Sequence, residues 1–199
     1  MSNNPLMHSE LFLKELTKVV QSLDLKKIDK ISDSLIKLRK NKGRLFFIGV
    51  GGSAANASHA VNDFRKLCKI ESYSCFDNIS ELTARINDEG WDHSISGWLQ
   101  SSFLNKKDSI FIFSVGGGDL NKKISVNIVN SIKYAKKCNC KILGIVGKNG
   151  GYTSKKGDYI LKIPSYNKKL ITPLAESFQT IIWHMLVSNP KLQVNKTKW

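Results

Sequence analysis

Four short stretches of the chain are almost wholly apolar: residues 44–48, 108–114, 141–146 and 158–163. A weaker run at 71–75 joins them as a fifth strand candidate. Runs this short and this apolar read as strands buried on both faces of a sheet. Between them the apolar positions change to helical spacing. They fall at 6, 12, 13, 16, 19, 20 and 23 within residues 5–25. Within residues 26–41 they fall at 28, 31, 35, 36 and 38, before Lys42-Gly43 ends the pattern. A helix is predicted from Ser53 through Arg65, with Ser53 as its N-cap. Further helices are predicted over 91–104, over 121–137, and from Thr172-Pro173 to 187. Residues 77–80 read as a turn and N-cap, and Asn87-Asp88 as polar groups of a loop ahead of Glu89-Gly90-Trp91. Strands alternating with helices predict an α/β fold, three αβα layers around a five-stranded parallel sheet. Two additional N-terminal helices precede it. They carry more apolar surface than one sheet face can cover, so packing between subunits is their expected use. A chain of 199 residues fits one domain, with residues 1–43 packing subunits and 44–199 forming the sheet domain.

Composition narrows the class. An apolar fraction of 41% is ordinary for a globular protein, and no apolar run approaches the ~18 residues of a membrane span. The N-terminus has no basic-then-apolar leader pattern, so a cytoplasmic location is expected. Four cysteines, at 68, 75, 138 and 140, do not make a disulfide framework in a chain of this length. The Cys138-Asn-Cys140 pair has no second pair at zinc-site spacing, so buried or idle thiols are expected. The net charge of +15 comes from lysines scattered in pairs rather than packed in a block with interleaved aromatics. That pattern predicts a solvated basic surface and no nucleic-acid partner. The same field favours an anionic small substrate.

Candidate chemistry gathers where strands end. Gly49-Val50-Gly51-Gly52-Ser53 lies between a strand and a helix, where free backbone amides can meet an anion such as phosphate. No Walker lysine and no dinucleotide glycine spacing follows. A second turn, Ser114-Val115-Gly116-Gly117-Gly118-Asp119, ends a strand expected to neighbour the first. Together the turns can grip a small anion, or simply reverse the chain. His59 and Asp63, four residues apart, share one helix face. They can bind a metal or a substrate hydroxyl, or belong to a solvated face with Asn56, Asn62 and Arg65. His184 lies in an apolar stretch, as a satisfied core residue or a tuned acid/base. Glu176, two turns earlier, lies within about 80° of the same face but ~12 Å away along the axis. The two cannot easily share one ion on a straight helix. Either their roles differ or another subunit completes the set.

In this order the residues resemble the phosphoheptose isomerases of the SIS (sugar isomerase) superfamily. Strand-Gly-x-Gly-Gly-Ser followed by His-x-x-x-acid carries the resemblance, with Ile86-Asn87-Asp88-Glu89-Gly90 on the family's Gly-Asn-Asp-x-Gly segment. Residues 114–119 fall on its phosphate loop, 146–151 on its Thr-Gly-x-x-Gly-Gly turn, and Glu176 and His184 on its final-helix Gln and His. The similarity runs over nearly the whole chain. It implies a flavodoxin-like SIS fold and an aldose–ketose isomerase converting sedoheptulose 7-phosphate to D-glycero-D-manno-heptose 7-phosphate through an enediol. It implies Asp63 and His184 as the catalytic pair, and zinc on His59, Asp63, Glu176 and His184. Substrate would be bound by Val50, Gly51, Gly52, Ser53, Asn87, Asp88, Ser114, Val115, Gly116, Asp119 and Glu176. Sites would lie between the subunits of a homotetramer. Departures from the family are Val50 for Asn, Asp63 for Glu, Glu176 for Gln, Gln179 for His, Val115 and Gly116 for the Thr-Ser hydroxyls, and Asp119 for Ser. They keep two alternatives open: an isomerase with a changed substrate, or a non-catalytic SIS module that binds a sugar phosphate or a protein, as the DnaA-associating member does.

Overall fold

The computed structural model describes residues 5–147 and 149–197, and the side chains from Met7 onward within them. Expectations for the extreme N-terminus, for the Leu6 side chain and for Lys148 of the third glycine turn lie outside the described residues. Helices α1 (Pro5–Gln21) and α2 (Leu25–Lys40) precede β1 (Leu45–Ile48), α3 (Gly52–Cys68) and β2 (Ser72–Ser74). Then come α4 (Ile79–Glu89), α5 (Trp91–Ser101), β3 (Ser109–Ser114), α6 (Val126–Lys137) and β4 (Lys141–Val146). Helix α7 (Gly151–Lys156), β5 (Tyr159–Lys162) and α8 (Ile171–Val187) complete the fold. The strands form one parallel sheet in the order β2-β1-β3-β4-β5.

Successive strand side chains point to opposite faces, so an unbroken apolar run feeds two cores. Phe47, Phe111, Phe113, Leu143, Ile145 and Leu161 pack on one side with buried residues of α2, α3 and α8. Phe46, Ile48, Ile110, Ile112, Ile142 and Ile160 pack on the other with α5 and α6. Register places Phe47 opposite Phe111, whose rings stack 5.4 Å apart. Among the described residues no helix is long and apolar enough to cross a membrane.

Three local expectations are corrected. Ile79 and Ser80, expected in a turn, and Asn87-Asp88, expected in a loop, belong to α4, which Asn78 caps and which has no buried residue and therefore no core-facing stripe to announce it. Charge pairs within the helix hold it instead: Arg85 bridges Glu81 at 2.8 Å and Glu89 at 3.0 Å, both at helical i,i+4 spacing. Ser53 is not the N-cap of α3. Gly51 takes that position with φ +63°, and Ser53 is buried as the second residue of the helix. Helix α6 begins at Val126 rather than near 121, because Asp119 bridges to Ile124 and accepts from the Asn121 and Lys122 amides, which closes a turn there. The thiols behave as expected: Cys68, Cys75 and Cys140 are buried, and all four cysteines are unpaired.

Candidate active site

Strand order reverses beside β1, with β2 on one side and β3 on the other, and the turns after β1 and β3 flank this switch point. Ligands bind at such points in open parallel sheets. Helix α3 leaves the first turn and lies along α8, and a polar network fixes how the two helices meet. Asn56 Nδ2 donates to Gln179 Oε1 and to the Glu176 carbonyl, both at 3.0 Å. Gln179 Nε2 donates to Ser53 Oγ at 3.0 Å, and Thr180 Oγ1 donates to Asn56 Oδ1 at 2.9 Å. Gln179 and Ser53 are buried, and a satisfied buried network of this kind permits one register and penalises others.

That register brings His59 and Asp63 of α3 against His184 of α8. His184 Nε2 lies 3.9 Å from Asp63 Oδ2. The other Asp63 oxygen accepts from Asn62 Nδ2 at 2.9 Å. The two imidazoles meet edge-on, 5.7 Å apart. Trp183, fully buried, walls the group with its ring 4.7 Å from His59 and 3.5 Å from His184. One donor atom from each of His59, Asp63 and His184 falls within a 4.8 Å cluster. Two imidazole nitrogens and a carboxylate oxygen, with both histidines open to solvent, fit a three-ligand divalent site that keeps a position for another group.

A SIS-domain family pattern matches residues 11–147. Phosphoheptose isomerase 1 of Campylobacter jejuni is 31% identical over 159 residues, covering 76% of this chain and 82% of that protein. The chain belongs to the SIS-domain family, among its phosphoheptose isomerases. A probable phosphoheptose isomerase of Thermoplasma volcanium is 29% identical over 188 residues, covering 92% of this chain and 90% of the relative. In fold, the chain is similar to a phosphoheptose isomerase from Neisseria gonorrhoeae, with a TM-score of 0.81 at 19% identity, over 92% of this chain and 98% of that one.

Glu176, beyond the residues the family pattern matches, stands apart from the expected four-residue metal set. The cluster within one chain holds His59, Asp63 and His184. Two turns of α8 separate Glu176 from His184, and its carboxylate instead lies over the first residue of α3. A methyl group at Gly52 would come within 2.5 Å of Glu176 Oε2. The positive end of α3, expected to receive a substrate anion, thus faces a carboxylate of its own chain.

The second glycine turn is also largely self-satisfied. Ser114 Oγ accepts from the Gly117 amide at 3.0 Å. The Gly117 carbonyl accepts from the Thr153 amide and hydroxyl at 2.9 and 2.8 Å, and the Gly118 carbonyl from the Tyr152 amide at 2.8 Å. Asp119 Oδ1 is engaged by the two amides of its own turn. Val115 and Gly116 are half-buried, Val50 packs beside the Phe46 core, and Gly51 and Gly52 are exposed. Asn87 and Asp88 sit exposed on the last turn of α4, where Asn87 Nδ2 donates to Asp88 Oδ1 at 2.9 Å. The residues missed from sequence are Asn56, Thr180 and Trp183, with the positioning role of Gln179. Residues 176, 179, 180, 183 and 184 recur at i,i+3/i+4 spacing, and that periodicity was the available signal.

Proposed function

We propose that this chain isomerises sedoheptulose 7-phosphate to D-glycero-D-manno-heptose 7-phosphate in the cytoplasm, with Asp63 and His184 as the acid/base pair. The observation that carries the reading is the convergence of His59, Asp63 and His184 at the α3–α8 contact, in a chain of the phosphoheptose isomerase family. Ketose-to-aldose conversion moves one hydrogen between adjacent carbons. Asp63 takes a proton from C1 while His184 gives one to the C2 oxygen, which forms the enediol. Asp63 then returns its proton to C2 as His184 takes the C1 hydroxyl proton, which leaves the aldehyde. Two groups 3.9 Å apart suit a substrate whose reacting carbons and oxygens are neighbours. His59, Asp63 and His184 would hold a zinc ion, and that ion would polarise the paired oxygens of the substrate. Glu176, Gly52, Ser53, Asn87, Asp88 and the turn at 114–119 border the substrate in this reading. A homotetramer built through the N-terminal helices is part of the proposal. Exposed Leu11, Leu13 and Val20 on α1, and Ile181 and Met185 beside His184, support it.

The test is incubation with sedoheptulose 7-phosphate while following aldose formation, with and without a chelator. His184→Ala and Asp63→Asn are expected to lower kcat by at least ~100-fold, and His59→Ala to lower the metal content of the purified protein. Full turnover in His184→Ala removes the acid/base assignment. One observation favours a second reading, a sugar-phosphate-binding module without catalysis: Ser114 Oγ is spent inside its own turn, and residues 115 and 116 have no hydroxyl. Tight binding of ketose phosphates by wild type with no turnover of any of them selects that reading.

A further inference from the structure

A second concave feature lies at the opposite edge of the sheet, where β3, β4 and β5 begin. It is a cleft of about 680 Å3 between that edge and α2. Five of its twelve lining residues are lysines, whereas lysine and arginine together make 31 of the 199 residues. Lys30 and Lys37 come from α2, Lys106 and Lys107 from the turn before β3, and Lys141 from the start of β4. Most local carboxylates are already engaged. Asp158 pairs with Lys141 at 2.9 Å, and Asp108 is held by Arg44 at 2.7 Å and by Asn105. Lys30, Lys37, Lys106 and Lys107 therefore face the cleft with no ion-pair partner among the described residues, against a single remaining carboxylate, Asp33.

The convergence is built into the backbone. Any side chain at Gly43 would strike the Lys107 carbonyl and Leu38, so the lysine turn docks directly on the end of α2. Lys30 and Lys37, seven residues apart, share a helix face and stand ~10 Å apart along its axis. That span exceeds one phosphate and suits a chain of two or three. Concave walls of one charge concentrate the potential. Half-buried Tyr159 also lines the cleft and supplies an aromatic ring on which a base can stack.

We propose that this cleft binds the phosphate chain of a nucleoside di- or triphosphate, at a site separate from the His59–Asp63–His184 cluster. Isothermal titration of the full chain with ADP and with inorganic pyrophosphate tests it. Both are expected to bind, more weakly as salt is raised, with ADP tighter than pyrophosphate. The triple variant Lys37→Ser/Lys106→Ser/Lys107→Ser should weaken both by at least ~10-fold, since three of the cations that would meet the phosphates are gone. Tyr159→Leu should erase the advantage of ADP. Circular dichroism checks that each variant is folded, and isomerase turnover of the triple variant without nucleotide should equal wild type. No binding of either probe, binding unchanged in the triple variant, or binding of a short RNA but of neither probe overturns the proposal. Pyrophosphate binding as tightly as ADP overturns the nucleotide assignment and leaves an inorganic phosphate chain as the ligand.

Discussion

Gly52 and Gly117 both exclude a side chain, but for different physical reasons, and substitution separates them. At Gly52 the obstacle is the tip of Glu176, a mobile carboxylate, on a backbone that is already helical. Gly52→Ala should change stability by less than ~1 kcal/mol, because the carboxylate can swing aside and alanine favours the helix. In the reading proposed here it should still lower turnover, because Glu176 would leave its position over the N-terminus of α3. At Gly117 the obstacle is the Gly150 backbone, and φ is +72°. Gly117→Ala should cost at least ~2 kcal/mol, from left-handed backbone strain together with the clash. Urea unfolding and steady-state kinetics on the two variants check both statements. The buried thiols make a pH prediction at the same scale. Burial pushes Cys68 and Cys140 up to about 12 from the ordinary 9.0, and Cys75 higher still. From pH 9 upward the unfolded chain releases protons that the folded chain keeps, so stability is complete below pH 9 and falls as pH rises toward 12. The urea midpoint should drop between pH 8.5 and 10.5, with a shallower drop in Cys68→Ala.

At the scale of elements, the contact between α3 and α8 decides the site. Gln179 is fully buried and satisfies Ser53 and Asn56 together. Gln179→Ala should cost about 1–3 kcal/mol, the desolvation of partners left unmatched. It should also lower kcat, because the register of α3 on α8 sets the 3.9 Å between Asp63 and His184. Thermal unfolding and kinetics on this variant, with Thr180→Ala as a milder neighbour, measure the two effects. Helix α4 shows the limit of reading elements from pattern. Its stability comes from Asn78 capping and from Glu81–Arg85–Glu89 pairing, so it has no buried stripe to detect. The glycine turns were readable as turns because positive φ at Gly51, Gly117 and Gly118 needs glycine. Their hydrogen-bond partners on α7 and α8 were not.

At the scale of the whole molecule, two helices precede the first strand and leave apolar side chains in water. Leu13 is 61% exposed and Val20 50%. Covering such a surface with a second copy would bury apolar area at roughly 25 cal/mol per Å2. Light scattering should therefore find an oligomer, a tetramer in the reading proposed here. Leu13→Lys should shift it to a smaller species while circular dichroism keeps its helical content. If it remains unshifted, α1 is not the interface. The +15 charge acts at this scale too: most of its lysines are spread over the surface, and five of them line the cleft at the start of β3, β4 and β5.

Read alone, the amino-acid order settles the alternation of strands and helices. Strands buried on both faces must be mostly apolar, with small polar residues such as Ser109 and Ser114 at their ends, and helices buried on one face must repeat near every fourth. It also places His59 and Asp63 side by side, because four residues make about one helical turn. Tertiary structure decides the rest. Spacing within one helix says nothing about which turn of another helix meets it, and the Asn56–Gln179–Ser53 network chooses that turn. Hence His184 joins Asp63, Glu176 falls over Gly52 rather than beside His59, Asp63 and His184, and Ser114 spends its hydroxyl on Gly117.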